Sequence, residues 1–590
     1  MLFMKHVLYG LLLAFLSTLL AKAQSPHLPY NADYHHLIDR MEIRQGRWAE
    51  GFHSFTKPYT RQAVVQLTDS VLANLDYRLS SADRFNLAYL RNDSWEWVMP
   101  RTDTIPSDNG IIRNMQYGVG SSPGDSRRPF LKVFYKKKAD FYSVQTPEFD
   151  LHVNPVINLS FDLDSSDPER TSTYANTRGV EVRGTIGKKL GFYSYFADNQ
   201  VFYPKYVREY AQLYGKPDLS DANGFAPGEG FTKRFPAGGG LGADFISARG
   251  SFNFNLLKII NVQFGHDRNF FGNGFRSMFL SDNASPYLFL KLTTRFGKHI
   301  QYTNLFTELQ NVELTSNEQL IPNKYSTMHH LSVNIGKHVN VGIFESIVYS
   351  RDRLEIGYMN PLILYRFVES YRGSADNSFA GIDAKANFLK HFMAYGQIMF
   401  DEFRINDLIN NGGSWTNKYA VQLGLKYIDA FGVPNLDLQG EYNLARPYMY
   451  AHLGGQTNYT HYNQPLAHPL GGNFKEAIGI ARYQYNKLFL TGIFRVAEYG
   501  ADPPGRNYGS NITKNYETRF RTDGNFIGQG RTTITTFVDA RASYMLRHNF
   551  FVEGRYAYRL QSSQFRPLEY TNQFASIGIR WNYAYRNLLF

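Results

Sequence analysis

Along the last third of the chain, apolar and polar side chains alternate one for one. Ala575, Ile577, Ile579, Trp581 and Tyr583 share one face of a strand, opposite Ser576, Gly578, Arg580 and Asn582. One hairpin earlier, Phe550, Val552, Tyr556, Tyr558 and Leu560 oppose Glu553, Arg555 and Arg559. Before that, Val538, Ala540, Ala542, Tyr544 and Leu546 oppose Asp539, Arg541 and Ser543. Each ribbon has an oily side, a charged side and the length of a tilted membrane strand. A soluble sandwich alternates too. Two details favour lipid as the cover: Tyr and Trp gather at the ends of the apolar faces, and Arg mixes with Asp and Glu on the polar ones, as in a wet lumen. From Pro129 the strands are expected to begin with FLKVFY, ADFYSV and PVINLSF. At about 25 residues per strand, residues 126–590 give an all-β, antiparallel transmembrane barrel of about 18 strands. Polar inserts at 205–240, 405–416, 450–475 and 500–530 are its long, outward loops.

The period changes toward the N-terminus. Leu37, Ile38 and Met41 recur at helical spacing. So do Val64, Val65, Leu67, Val71, Leu72 and Leu75. A third helix holding Phe85, Leu87 and Leu90 is capped by Ser80 or Ser81. Residues 24–125 are expected to form a small α-helical periplasmic domain with a Gly/Ser/Pro/Asp-rich linker or plug at 101–127. Ahead of it, Lys5 and His6, the apolar run Val7–Leu20 and the small residues of Ala21-Lys22-Ala23 read as a signal peptide, residues 1–23, cleaved after Ala23. That export, followed by alternating strands, places the chain in the outer membrane of a Gram-negative bacterium. A terminal aromatic, Phe590, is what barrel-insertion machinery reads. It is out of phase with Trp581, so either a bulge near Arg586 restores the phase or the last residues leave the strand.

Composition narrows the chemistry. Cysteine is absent, which removes disulfides, thiolate nucleophiles and Cys-ligated metals. Aromatics at 16% exclude disorder, and a mean hydropathy of −0.38 argues against membrane helices. The formal charge of +12 has no basic run that suits nucleic acid; acidic polysaccharide or lipopolysaccharide is the more natural exterior partner. Gly120-Ser121-Ser122-Pro123-Gly124 lacks the strand and helix of a nucleophile elbow, and Gly238–Gly242 lacks a phosphate-cradling context. Asp401 and Glu402 point to opposite faces if Met393–Phe403 is a strand. His452, His461 and His468 sit in one loop as scattered, solvated residues, so neither metal nor cofactor is expected. The reading is therefore non-enzymatic.

Sugars stack on rings and bond to planar polar groups. Two stretches offer both: Gly265–Phe275 running on to Tyr287, and Tyr358–Pro361 with Tyr365, Arg366, Glu369, Asp376 and Asn377. The alternative is that these are interior networks pinning the wall. Phe264-Gly265-His266-Asp267-Arg268-Asn269-Phe270-Phe271-Gly272-Asn273-Gly274, the L-S-D-N-A-S-P at 280–286, the Y-M-N-P at 358–361, the A-D-N at 375–377 and the Y-G-Q-I-x-x-D-E at 395–402 resemble the capsule assembly Wzi family, as do H-L-I-D-R-M and F-T-K-P-Y-T-R near the N-terminus. Phe271-Gly272-Asn273-Gly274 stands where that family has a tryptophan-centred version. Asp150–Val156 and T-R-G-V-E-V-R at 177–183 resemble the RemB-type proteins of gliding bacteria. The resemblance implies a lectin barrel that holds exported or capsular polysaccharide, or a role in surface motility with motility proteins as partners; a channel or transporter is the other class. The candidate sugar contacts are Asp267, Arg268, Asn273, Asp282 and Asn283, with Tyr448, Tyr450, Tyr459 and Tyr462 as stacking platforms. Arg366, Glu369, Asp376, Asn377, Glu553 and Arg555 are expected to form a lumen network.

Overall fold

The computed structural model describes residues 25–74, 79–98, 124–126, 129–164, 167, 171–214, 223–237, 240–312, 323–361, 364–371, 373, 376–401 and 412–590. The leader, most of the linker, residues 120–123, Gly238, Gly239, Ala375 and Glu402 lie outside the described residues.

Eighteen antiparallel strands close into a barrel. They are β1 (Phe149–Asp164), β2 (Ser172–Ile186), β3 (Leu190–Phe202), β4 (Gly240–Leu257), β5 (Ile260–Asp267) and β6 (Tyr287–Phe296). Then come β7 (Ile300–Gln310), β8 (Asn323–Ile335), β9 (Val339–Tyr349), β10 (Asn377–Phe388), β11 (Phe392–Phe400) and β12 (Tyr419–Tyr427). The last are β13 (Leu436–Ala445), β14 (Phe474–Tyr485), β15 (Leu488–Ala501), β16 (Arg531–Arg547), β17 (Phe550–Ser563) and β18 (Tyr570–Trp581). β18 pairs back onto β1, from Phe574↔Asp164 to Trp581↔Ile157, which removes every free edge.

The alternation maps onto the wall as expected. Ala540, Ala542, Tyr544, Val552, Tyr556, Leu560 and Ile577 face outward and exposed, whereas Asp539, Arg541, Arg559 and Arg580 are buried inside. Tight turns close one end: Leu389 and Lys390 both take positive φ (53° and 56°) between β10 and β11, and Asn486 and Asn549 do so at two other hairpins. Near that end Phe388, Phe392 and Tyr427 stack ring on ring on the outer face (5.3 and 4.3 Å between centroids).

Three helices lie inside the short-turn end: α1 (Ala32–Gln45), α2 (Arg61–Leu72) and α3 (Ser81–Asp93). Their caps are legible: Asn31 accepts the Asp33 and Tyr34 amides, Gly46 ends α1 at φ +64°, and Ser80 with Asp83 forms a capping box. Ile38, Met41, Val64, Leu67, Leu87 and Leu90 form their core. The polar faces dock on the wall. Arg40 donates to Asp83, Asp429 and Asp437, Asp39 accepts from Lys426 (2.6 Å), and Asp33 accepts from Arg541 (2.8 Å). Such buried pairs fix register more than they add stability.

Two expectations are corrected, and a third is decided. FLKVFY is not a wall strand: Leu131, Lys132 and Tyr135 take positive φ, so the segment coils, and the wall begins at Phe149 after a short strand, Tyr142–Gln145, that pairs with β1. The lumen is not uniformly wet. Loops 268–286 and 446–473 fold inward and build a dry core of Phe271, Met278, Phe279, Leu280, Met449 and Leu466 against the walls of β6–β14. Of the two readings left open for Phe590, the structure takes the second: the last residues leave the strand. Asn582, at φ +49°, breaks β18, and the tail threads back into the lumen. There Arg580 donates to the Tyr583 carbonyl (2.8 Å), Tyr206 to that of Leu588 (3.0 Å), and Phe590 stacks on Tyr210 of a fourth helix, α4 (Lys205–Tyr214), at 3.7 Å.

Candidate functional site

The motif at 264–274 is a staple between plug and wall. Thr56 and Lys57 pair with Phe271 and Phe270 in a two-residue sheet. Glu441 accepts the amides of Phe275 (2.7 Å) and Arg276 (3.0 Å), and Gln397 binds the Met278 amide (2.9 Å) and the Phe271 carbonyl (3.0 Å). A Cβ on Gly274 would stand 2.4 Å from Glu441 Oε2 and 2.9 Å from the Arg276 carbonyl, so any side chain there would force these groups apart. The Asn273 carbonyl accepts from Lys426 (2.6 Å), and its side chain is buried.

Of the other expected contacts, Arg268 is 8% exposed; it donates to Glu229 (2.9 Å) and to the Ala284 and Gly228 carbonyls. Asp267 accepts the Arg268 amide (2.8 Å), and Asn283 donates to the Pro465 carbonyl (3.0 Å). Asp282, half-buried, lines the lumen cavity together with Arg268. The stacking role expected of the loop tyrosines meets a physical obstacle. Tyr448, Tyr450 and Tyr459 are fully buried, and their hydroxyls donate to the carbonyls of Asn507 (3.0 Å), Met278 (2.8 Å) and Phe279 (2.8 Å). Tyr462 is half-buried against Gly230. The three histidines are committed separately: His452 to Thr457, His461 between the Gln310 amide and the Pro286 carbonyl, and His468 to Glu476. Burial pushes His452 and His461 down to about 3.

The network divides. Glu553 accepts from Arg580 (2.8 Å) and Arg555 donates to Asp539 (2.6 Å), both inside the lumen. Asp376 accepts from Tyr358 (2.8 Å) and Arg351 (3.0 Å), and Asn377 donates to the Thr457 carbonyl (3.0 Å). Arg366 sits on a helix, α5 (Tyr365–Tyr371), strapped over the outer face of β8 and β9. There Tyr365 stacks on outward His329, and the solvent-exposed Arg366 guanidinium holds buried Glu369. That pair is therefore not part of a lumen network.

The long-loop rim holds a constellation that the sequence reading did not single out. Phe520 (48% exposed) stacks on Tyr508 at 4.5 Å with Arg506 5.4 Å above its ring. Phe526 (56%) lies 5.4 Å from Arg521, Phe565 (37%) 3.8 Å from Arg531, and half-buried Trp415 4.3 Å from Arg519. Cation–π contact keeps each guanidinium beside a ring while leaving N–H groups for a ligand. Buried amides hold the loop rigid. Asn507 binds the Asn515 carbonyl and Thr518, Gln529 binds the Tyr508 carbonyl and Asn525, and Asp502 accepts the Tyr508 amide (2.8 Å) and Lys514 (3.1 Å). The signal in the sequence was Arg and Phe at close spacing, as in R-F-R at 519–521, within a Gly/Asn-rich insert.

No protein-family model matches the sequence, and no curated protein matches it. Among solved structures the chain is similar to Wzi of Escherichia coli, an outer membrane protein involved in group 1 capsule assembly and itself a carbohydrate-binding β-barrel. The TM-score is 0.53 at 10% identity, over 95% of this chain and 100% of that one. OprD of Pseudomonas aeruginosa (TM-score 0.40, 8% identity, 73% of this chain and 94% of that one) and OccAB2 of Acinetobacter baumannii (0.40, 10%, 73% and 97%) are more distant. At these identities the Wzi likeness establishes the fold: a closed 18-stranded barrel with helices at its N-terminus.

Proposed function

We infer that this chain is an outer-membrane barrel that grips polysaccharide at the cell surface without passing or cleaving it. The observation that carries the reading is the rim of exposed rings paired with arginines on a rigid loop. Sugar faces stack on such rings, and guanidinium forks pair with uronate or phosphate groups. Between Asp502 and Arg531 five basic residues face three acidic ones, which favours an acidic polymer. The outward apolar belt fits lipid, and on that reading the short turns face the periplasm and the long loops the exterior. The dry core across the lumen speaks against conduction. Binding of the Wzi type lends the same direction, and the capsule and motility roles both need this grip. Individual contacts are weak, and many sugars per chain supply the avidity.

The test is a glycan array probed with detergent-solubilised full-length protein and with the Phe520→Ala/Phe526→Ala variant. Acidic polysaccharides bind the wild type, and the variant loses about tenfold or more. Equal binding by the two proteins refutes the assignment of the rim.

A further inference from the structure

A cavity of about 200 Å³ lies between the helical plug, the C-terminal tail and the charged side of the wall. Its lining begins at the short-turn rim, at Asn435, Gln484 and Asn549, and reaches Arg268 and Asp282 deep in the lumen. Eight arginines and no lysine line it, against six carboxylates. Most of these charges are matched, as Arg40 is by its three aspartates. Some donors are not. Arg541 is 7% exposed; its Nη2 donates to Asp33 (2.8 Å), the Tyr585 ring covers it at 3.8 Å, and its Nη1 has no partner among the described residues. Arg61, at 2%, leaves Nε without a hydrogen bond among the described residues, and Arg249 Nε stands 4.0 Å from Asp267. Arg482 donates to the Gln439 amide oxygen (3.2 Å), and among the described residues it makes no ion pair and its Nε no hydrogen bond.

A buried donor without an acceptor is costly, and more so when charged. Several around one void describe a site built for an acceptor-rich guest. Planar guanidinium forks suit an oxyanion better than a hydroxyl. We propose that this cavity binds a small oxyanion, a carboxylate or phosphate carried on a sugar, held by Arg482 and Arg541 and reached from the short-turn side. The site is separate from the rim and stands or falls without it.

The test is isothermal titration calorimetry on detergent-purified full-length protein with glucuronate, inorganic phosphate and neutral glucose. Saturable binding of at least one anion, and none of glucose, is expected. Glucuronate alone identifies a carboxylate site, phosphate alone a phosphate site. Arg482→Gln weakens binding at least tenfold and breaks no ion pair among the described residues. Arg541→Lys keeps the charge facing Asp33 but loses the free Nη1, weakens binding severalfold, and decides the matter if the first variant fails to fold. Phe520→Ala/Phe526→Ala binds the anion like wild type. Absence of saturable anion binding, equal binding of glucose, or affinity unmoved by both arginine variants overturns the proposal and leaves a water-filled void.

Discussion

Two aromatic-rich loops leave the same end of this barrel and do opposite things. The loop at 446–473 turns inward: Tyr448, Tyr450 and Tyr459 vanish into the structure, and each hydroxyl finds a backbone carbonyl. The loop at 502–530 stays at the rim and holds Phe520 and Phe526 in the open beside Arg506 and Arg521. Residue type alone points the wrong way, since tyrosine is the more polar ring. The hydroxyl is what permits deep burial here, because it satisfies carbonyls of Met278, Phe279 and Asn507 that would otherwise be left bare. The exposed phenylalanines make no such repayment, and a guanidinium is their partner instead. The first loop seals; the second is free to bind.

The largest effect is expected on the sealing side. Phe279, fully buried and stacked on Phe344 at 4.5 Å, is central to the dry core. Phe279→Ala lowers stability by about 3–5 kcal/mol, read as an earlier heat-induced mobility shift of the detergent-solubilised barrel, with a conductance appearing in planar bilayers if the core is also the seal. Asp39 comes next. Burial alone would raise its carboxyl, but Lys426, Lys57 and Lys385 together hold it down to about 2. A depressed carboxyl contributes stability that is present above its ordinary value of 3.8 and is lost as pH falls toward 2. Asp39→Asn therefore costs about 2 kcal/mol near neutrality, and the gap in melting temperature between the two proteins closes across that window. A gap independent of pH would contradict the assignment. Tyr450→Phe, which only strands the Met278 carbonyl, costs about 1 kcal/mol and leaves glycan binding intact. The smallest effect lies on the binding side: Arg531→Gln, which removes the cation over Phe565, weakens acidic-polysaccharide binding by about 0.5–1 kcal/mol, flattens its salt dependence and leaves stability unchanged.

The wall was legible because lipid and lumen impose a period of two on every strand, so Val538, Tyr556 and Ile577 could be placed by counting. The helices were legible from their spacing, and the third also from its Ser80 cap, but their seat inside the barrel was not. The loops were not. A tyrosine in a Gly/Asn-rich insert reads the same whether it ends buried or exposed, and burial of Tyr448 depends on Asn507, fifty-nine residues away. The tail was left as a choice between two readings for a related reason. Tyr583, Tyr585 and Leu589 continue the odd-numbered alternation of β18, and only the positive φ of Asn582 reveals that the strand has ended. Arg268 was singled out as a sugar contact, but its partner Glu229 lies on a distant insert that no local pattern connects to it.

The most direct measurement is the affinity of an acidic polysaccharide for the immobilised wild-type barrel and for Phe520→Ala/Phe526→Ala, each confirmed as folded by its heat-modifiable mobility. The account predicts saturable wild-type binding that weakens as salt is raised and falls about tenfold or more in the variant. Undiminished binding by the variant, or no binding of any acidic polymer by the folded wild type, would contradict it.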